Sequence, residues 1–326
     1  MLLSCMLPAA APFGELIEQA RLADGFGYDM IACNHIAARD SFGVLSALAM
    51  VTERVHLATA VAPIYHRSPA SMAQTAATVD DASGGRFRLG LGVGHRSTMA
   101  GWHGQEIGKP AEELREYVAL VRALLTDAQP PAGKRWNSTF RFTGFTPRPD
   151  IPIVLAALSP AMLRLAGEIA DGVVLWACPA GYVRDVVVPE VAKGRAAVGK
   201  SMDGFAVMPA VPAAVDTDPA VVHHGLRTEL HRYFGLPFYR AMFEAAGFGS
   251  DLTAFDNAPD FDAQKQAISE RFLSSLAAFG DAEAVRAGIV RHRAAGATNP
   301  IIAPVRGSDF LATLHAASGG SQEIQR

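Results

Sequence analysis

Eight short apolar runs, each followed by a stretch of helical periodicity, constrain this chain more than any other feature. Apolar runs bounded by Gly, Pro or polar residues read as strands buried on both faces, and the 3.6-residue spacing after them as amphipathic helix. Strands are expected at residues 2–7, 28–33, 56–61, 87–92, 150–156, 173–177, 205–215 and 299–303. Helices are expected at 13–26, 41–52, 69–82, 111–125, 160–170, 182–198, 281–294 and 309–317. Gly25 and Gly27 end the first helix, Ser68 is a natural N-cap for the third, and Pro160 suits the first turn of the fifth. Eight such units are the count of a closed parallel barrel, an α/β fold of the (βα)8 TIM type. A doubly wound sheet would place a glycine fingerprint after its first strand. The chain has Leu7-Pro8-Ala9-Ala10 there. Residues 1–326 are therefore expected to form one barrel domain.

Two stretches break the rhythm. Residues 133–147 contain Trp136-Asn137-Ser138-Thr139-Phe140-Arg141-Phe142, whose alternation predicts a small hairpin. Residues 217–275 predict a helical insertion after the seventh strand, carrying His223, His224, His231, Tyr233, Phe234, Phe238 and Tyr239. Loops at the C-terminal strand ends build the active site of such barrels, so this insertion suits a lid or substrate wall. A packing helix pair or a dimer contact fits the same residues.

Bulk properties narrow the partners. Net charge is −3 and no basic stripe appears, which argues against nucleic acid. No run approaches the roughly 18 apolar residues of a membrane span. The N-terminus lacks the basic and apolar regions of a signal peptide, so a cytoplasmic protein is expected. Cys5, Cys33 and Cys178 are odd in number and far apart, against a disulfide framework. With His35 and His95 they show no C-x-x-C or H-x-x-x-H spacing, so no metal is expected. No nucleophile elbow or P-loop is present.

Four constellations can carry chemistry. Asn34-His35 follows the second strand, where a side chain faces the barrel mouth and an imidazole can move a proton near neutral pH. Thr59-Ala60-Val61-Ala62-Pro63 ends the third strand with small residues that admit a flat ring, or simply a buried strand end. Gly85 to Arg96 holds Gly90, Gly92, Val93, Gly94 and His95, and glycines there let backbone approach a ligand closely. Its spacing is wrong for G-x-G-x-x-G, so a dinucleotide site is rejected. Leu158-Ser159-Pro160-Ala161-Met162 runs into a helix whose free first-turn amides suit a phosphate. Trp102, His103 and Trp176 are candidates for a pocket lining.

Together these segments resemble the bacterial-luciferase-like superfamily of flavin- and F420-dependent oxidoreductases. The likeness is strongest over Glu53 to Val61, His66-Arg67-Ser68-Pro69, Ala82 to Gly94, Pro152 to Pro160, Ala166 to Gly172 and Phe279 to Val285. Within it, the chain is most similar to the branch of methylene-tetrahydromethanopterin reductases and F420-dependent dehydrogenases. The resemblance implies His35 as proton donor or acceptor beside the reactive ring carbon, with His95 a second candidate. It implies a non-proline cis peptide at Ala60–Val61 behind the ring, with Asn34, Val93, Gly94 and Thr98 around it. Leu158, Ser159, Ala161 and Met162 match the phosphate-holding turn. Asn34 stands where that branch usually has Asp, and His95 where the sugar-phosphate dehydrogenases have Glu. Their basic grip on a sugar phosphate has no match, which argues against glucose-6-phosphate. FMN-using luciferases carry a basic residue at the fourth strand end and Glu-Ser after the fifth; here stand Val93 and Ala157-Leu158. The implied function is F420-dependent hydride transfer with a small organic substrate, in a homodimer. The alternatives are a reduced-FMN monooxygenase and a cofactor-binding protein without turnover.

Overall fold

The computed structural model describes residues 2–8 and 10–319; Met1, Ala9 and 320–326 of the expected unit lie outside the described residues. Eight parallel strands form the barrel: β1 (Ser4–Met6), β2 (Met30–Cys33), β3 (His56–Thr59), β4 (Phe87–Gly92), β5 (Ile153–Ala156), β6 (Gly172–Leu175), β7 (Ala206–Val215) and β8 (Ile301–Pro304). β8 pairs with both β7 and β1, which closes the sheet into the expected (βα)8 architecture. Alternation along each strand makes two cores. Ile31, Leu57, Phe87 and Leu89 face the helices, while Met30, Ala32, Ala58 and Met208 fill the barrel interior.

The helices start where cap chemistry allows. The Ser68 hydroxyl accepts from the Ser71 amide at 3.2 Å ahead of Pro69–Ala82. Asp281 accepts from the Ala284 amide at 2.8 Å ahead of Ala282–Ala294. Such caps satisfy amides that the helix itself leaves unpaired, each worth about 1 kcal/mol. Among the described residues no helix is long and apolar enough to cross a membrane.

Four local features depart from the sequence expectation. The hairpin expected over 133–147 is absent, because no residue of that stretch is in a strand. The Glu116 carboxylate instead accepts from three successive amides, of Lys134 (2.8 Å), Arg135 (2.9 Å) and Trp136. Trp136 packs edge-on to Tyr117, and Phe140 edge-on to Phe142. The alternating aromatics thus pack on helix Pro110–Leu125 and on each other, with no partner strand. The helix expected over 182–198 begins at Ala180 and passes through a π-turn at Val183–Val187, just before Pro189, which has no amide to donate. A helix at Arg96–His103 and a short parallel strand at Ala278–Gly280 beside β7 were not expected.

The insertion 217–275 is helical as expected, with helices Pro219–Phe234, Pro237–Ala245, Gly249–Asn257, Phe261–Ala267 and Glu270–Leu276. Phe234, fully buried, gathers Phe243, Phe255 and Phe272 within 4.9–5.3 Å between ring centroids. That aromatic cluster gives the insertion a core of its own.

Candidate active site

A cavity of about 590 Å³ opens at the C-terminal ends of the strands. One wall is built from backbone. The β3–β4 ladder pairs Leu57 with Phe87 and Ala58 with Arg88, stops, and resumes as Ala62 with Leu91 and Pro63 with Gly92. In the gap the Ala60–Val61 peptide is cis, as the resemblance implies. Thr59 bridges the gap: its hydroxyl donates to the Gly90 carbonyl at 2.7 Å and accepts from the Gly90 amide at 2.8 Å.

The glycines of β4 make that approach possible. A Cβ on Gly90 would sit 1.8 Å from the Thr59 carbonyl oxygen, and one on Gly92 would sit 2.8 Å from Val61 Cγ2 and 3.3 Å from the Ala156 Cβ. The result is a small-residue surface of Ala60, Val61, Gly92 and Ala156 lining the cavity. Val93, Gly94, His95 and Thr98 continue the lining into helix Arg96–His103.

Beyond β5 the chain turns into helix Pro160–Ile169. Ser159 caps it, its hydroxyl accepting from the Met162 amide at 3.4 Å, and the Tyr182 hydroxyl fixes the turn by donating to the Leu158 carbonyl at 2.8 Å. Leu158, Ser159 and Met162 line the cavity. The exposed Ala161 does not, and only its amide belongs to the helix terminus. These amides and the Ser159 hydroxyl form a donor set that suits a phosphate group.

Asn34 and His35 also face the cavity. The Ser41 amide donates to His35 Nδ1 at 3.3 Å and the Ser41 hydroxyl lies 2.9 Å away, so a neutral ring carries its proton on Nε2. Burial holds the His35 pKa below its ordinary value; Arg67 and His103 act in the same direction and Asp40 against it. His35 is thus held neutral, with Nδ1 engaged by Ser41 and the Nε2 proton available to be donated. His66 and His103, not singled out together by the sequence, pack beside it as tilted rings at centroid separations of 5.3 Å (His35–His66) and 3.9 Å (His66–His103). Burial first, then His103 and His35, lower the His66 pKa to about 4.

The opposite wall comes from side chains of the insertion. Tyr233 and Tyr239, each 7 % exposed, have ring centroids 4.7 Å apart, with Trp176 6.1 Å from Tyr233 and His95 6.0 Å from Tyr239. Burial lowers the His95 pKa too, with Arg232 adding to it. Phe238, Glu229 and Arg232 complete this wall. Composition flagged the aromatics of the insertion; nothing in the sequence singled out Glu229 or Arg232. His231 bonds Gln264 inside the insertion at 2.8 Å, and Trp102, 57 % exposed, stands outside the cavity lining. The three cysteines are buried, with thiols pushed to high pKa by desolvation, so they are neither nucleophiles nor thiolate ligands. Among the described residues no group of three or more His, Cys, Asp or Glu side chains is placed to hold a metal ion.

The model of the luciferase-like monooxygenase family matches residues 2–299. The chain belongs to that family. A protein of Mycobacterium tuberculosis provisionally named a coenzyme F420-dependent oxidoreductase is 27% identical over 319 residues, covering 90% of this chain and 91% of its own. The 5,10-methylenetetrahydromethanopterin reductase of Archaeoglobus fulgidus is 34% identical over 215 residues, 63% of this chain and 61% of the reductase. Among solved structures, the coenzyme F420-dependent tetrahydromethanopterin reductase of Methanopyrus kandleri superposes with a TM-score of 0.83 at 22% identity, covering 97% of each chain. The oxygenating constituent of 3,6-diketocamphane monooxygenase from Pseudomonas putida, in complex with FMN, superposes with a TM-score of 0.72 at 18% identity, over 98% of this chain and 97% of that one. The chain is thus similar in sequence to proteins named as an F420-dependent oxidoreductase and a methylenetetrahydromethanopterin reductase, and it shares its fold with an FMN-bound monooxygenase constituent.

Proposed function

We propose that the protein is an F420-dependent oxidoreductase that moves a hydride between the deazaflavin and a small organic substrate. The observation that carries this reading is the pairing of a small-residue backbone wall with a part-buried, neutral imidazole, His35, on one cavity. Ala60, Val61 and Gly92 leave room for a flat ring, and the amides of the Pro160–Ile169 terminus with Ser159 suit the phosphate. Bound there, the deazaflavin would supply two-electron hydride chemistry. The protein's part is to position it, exclude water through the aromatic wall, and hold or donate a proton at His35. The lining at Val93, Ala157 and Leu158 carries no charged side chain, and the two curated relatives bear F420-dependent or methylenetetrahydromethanopterin reductase names. These support F420 over FMN.

Titration of the purified protein with F420 and with FMN tests the reading. Tighter F420 binding is expected; tight FMN binding with none for F420 would overturn it in favour of a reduced-FMN monooxygenase. His35→Ala is expected to lower kcat by about a hundredfold on any substrate the parent protein turns over. F420 affinity should stay within a few-fold. Unchanged turnover would remove His35 from the chemistry.

A further inference from the structure

The charged side chains around the cavity are not equivalent. Arg96, Glu229 and Arg232 line it. Arg96 is spent on backbone: its guanidinium donates to the carbonyls of Ile107 and of Gly108, the latter at 3.0 Å. Among the described residues Glu229 forms no ion pair; desolvation raises its carboxyl pKa, against the pull of Arg306 and Arg232. Arg232 lies on the same helix, Pro219–Phe234, and its guanidinium has no hydrogen bond or ion pair among the described residues. It lies over the face of Tyr233, 5.0 Å from the ring centroid, with Glu229 and His95 within its electrostatic reach. Among the arginine and acidic side chains that line the cavity, Arg96 and Arg232 stand against Glu229.

The surface beneath Arg232 is aromatic. Tyr233 leads to Tyr239 at 4.7 Å and to Trp176 at 6.1 Å. A guanidinium stacked on a ring keeps its donor edge free, and its planar fork matches a carboxylate in bidentate fashion. Rings of a ligand find offset or edge partners on the same wall.

We propose that the substrate is an aromatic carboxylate, with its rings on Tyr233, Tyr239 and Trp176 and its carboxylate on Arg232. This deepens the reading of the cavity as a cofactor-and-substrate site and rests on it. Arg232 is thereby a specificity-determining residue. The imidazole of His95, 6.0 Å from Tyr239, borders the same surface.

Calorimetric titration of the full-length protein, with and without saturating F420, tests this with three probes. 2-Naphthoate is expected to bind at least about tenfold more tightly than 2-naphthamide, which has the rings without the charge. Acetate, which has the charge without the rings, should bind at least about tenfold more weakly than naphthoate. Arg232→Gln should abolish the preference for naphthoate over naphthamide, and Arg232→Lys should keep part of it. Both variants should bind F420 within about threefold of the parent. Equal binding of naphthoate and naphthamide, a preference that survives Arg232→Gln, or a loss of F420 affinity instead would overturn the proposal. A naphthoate preference in a protein that does not bind F420 would overturn the cofactor reading and leave the anion site standing. F420 binding without the preference would do the reverse.

Discussion

The cavity has two walls made by different means. The barrel wall is backbone and small residues: Ala60, Val61 and Gly92, set by how closely β3 and β4 approach. The wall from the insertion is large side chains, Tyr233, Phe238 and Tyr239, standing on helices with an aromatic core of their own. In the first, shape is fixed by main-chain packing, where one added methyl has nowhere to go. In the second, shape is a choice of side chain, and an exposed one such as Phe238 can be exchanged at low cost to the fold. Such a division lets one surface of the cavity stay fixed by the barrel while the other varies with its side chains.

Gly90→Ala challenges the barrel wall most severely. Its Cβ would lie 1.8 Å from the Thr59 carbonyl oxygen, a backbone atom that cannot swing away. The expected loss is at least about 3 kcal/mol, read from urea unfolding midpoints. Gly101→Ala is the control: nothing lies within 4 Å of its Cβ and it sits in helix Arg96–His103. That change should stabilise by about 0.5 kcal/mol or more. A Gly90→Ala protein as stable as the parent would show that the first wall is not held by backbone approach.

Thr59→Val is the next step down. The replacement keeps size and branching but removes the hydroxyl that both donates to and accepts from Gly90. Thr59 is fully buried, so the Gly90 amide loses a partner where water cannot replace it. A destabilisation of about 1–3 kcal/mol is expected. Thr59→Ser, which retains the hydroxyl, should recover part of it. If Thr59→Val costs nothing, the hydroxyl is not what bridges the interrupted ladder.

How much of this was legible follows the same division. Period and punctuation revealed the eight strands, because strands buried on both faces read as continuous apolar runs. The small residues at 59–63 and the glycines at 90, 92 and 94 pointed to a close approach, since a missing side chain is itself a sequence signal. The role of Thr59 was invisible, because it depends on which backbone pair loses its ladder partner. The expected hairpin at 133–147 failed because alternation reports which residues are buried, and here Glu116 and neighbouring aromatics supply the burial. Arg232 and Glu229 could not be picked from an insertion full of charged residues; which of them reach the cavity is set by the packing around Phe234.

The smallest expected effect probes the second wall. Phe238 lines the cavity yet is 61 % exposed, so its ring contributes little to the insertion's core. Phe238→Ala removes apolar area that the native fold already leaves to solvent, and the stability change should stay within about 0.5 kcal/mol. Ligand binding should respond more, because a bound molecule would cover the ring and gain the contacts the fold does not use. The expected pattern is an unchanged unfolding midpoint with a several-fold weaker 2-naphthoate affinity. A stability loss beyond about 2 kcal/mol would join the insertion to the barrel in one tightly packed unit and erase the contrast between the walls. Unchanged stability with unchanged affinity would move the ligand's rings off Phe238 and leave them to the more deeply buried Tyr233 and Tyr239.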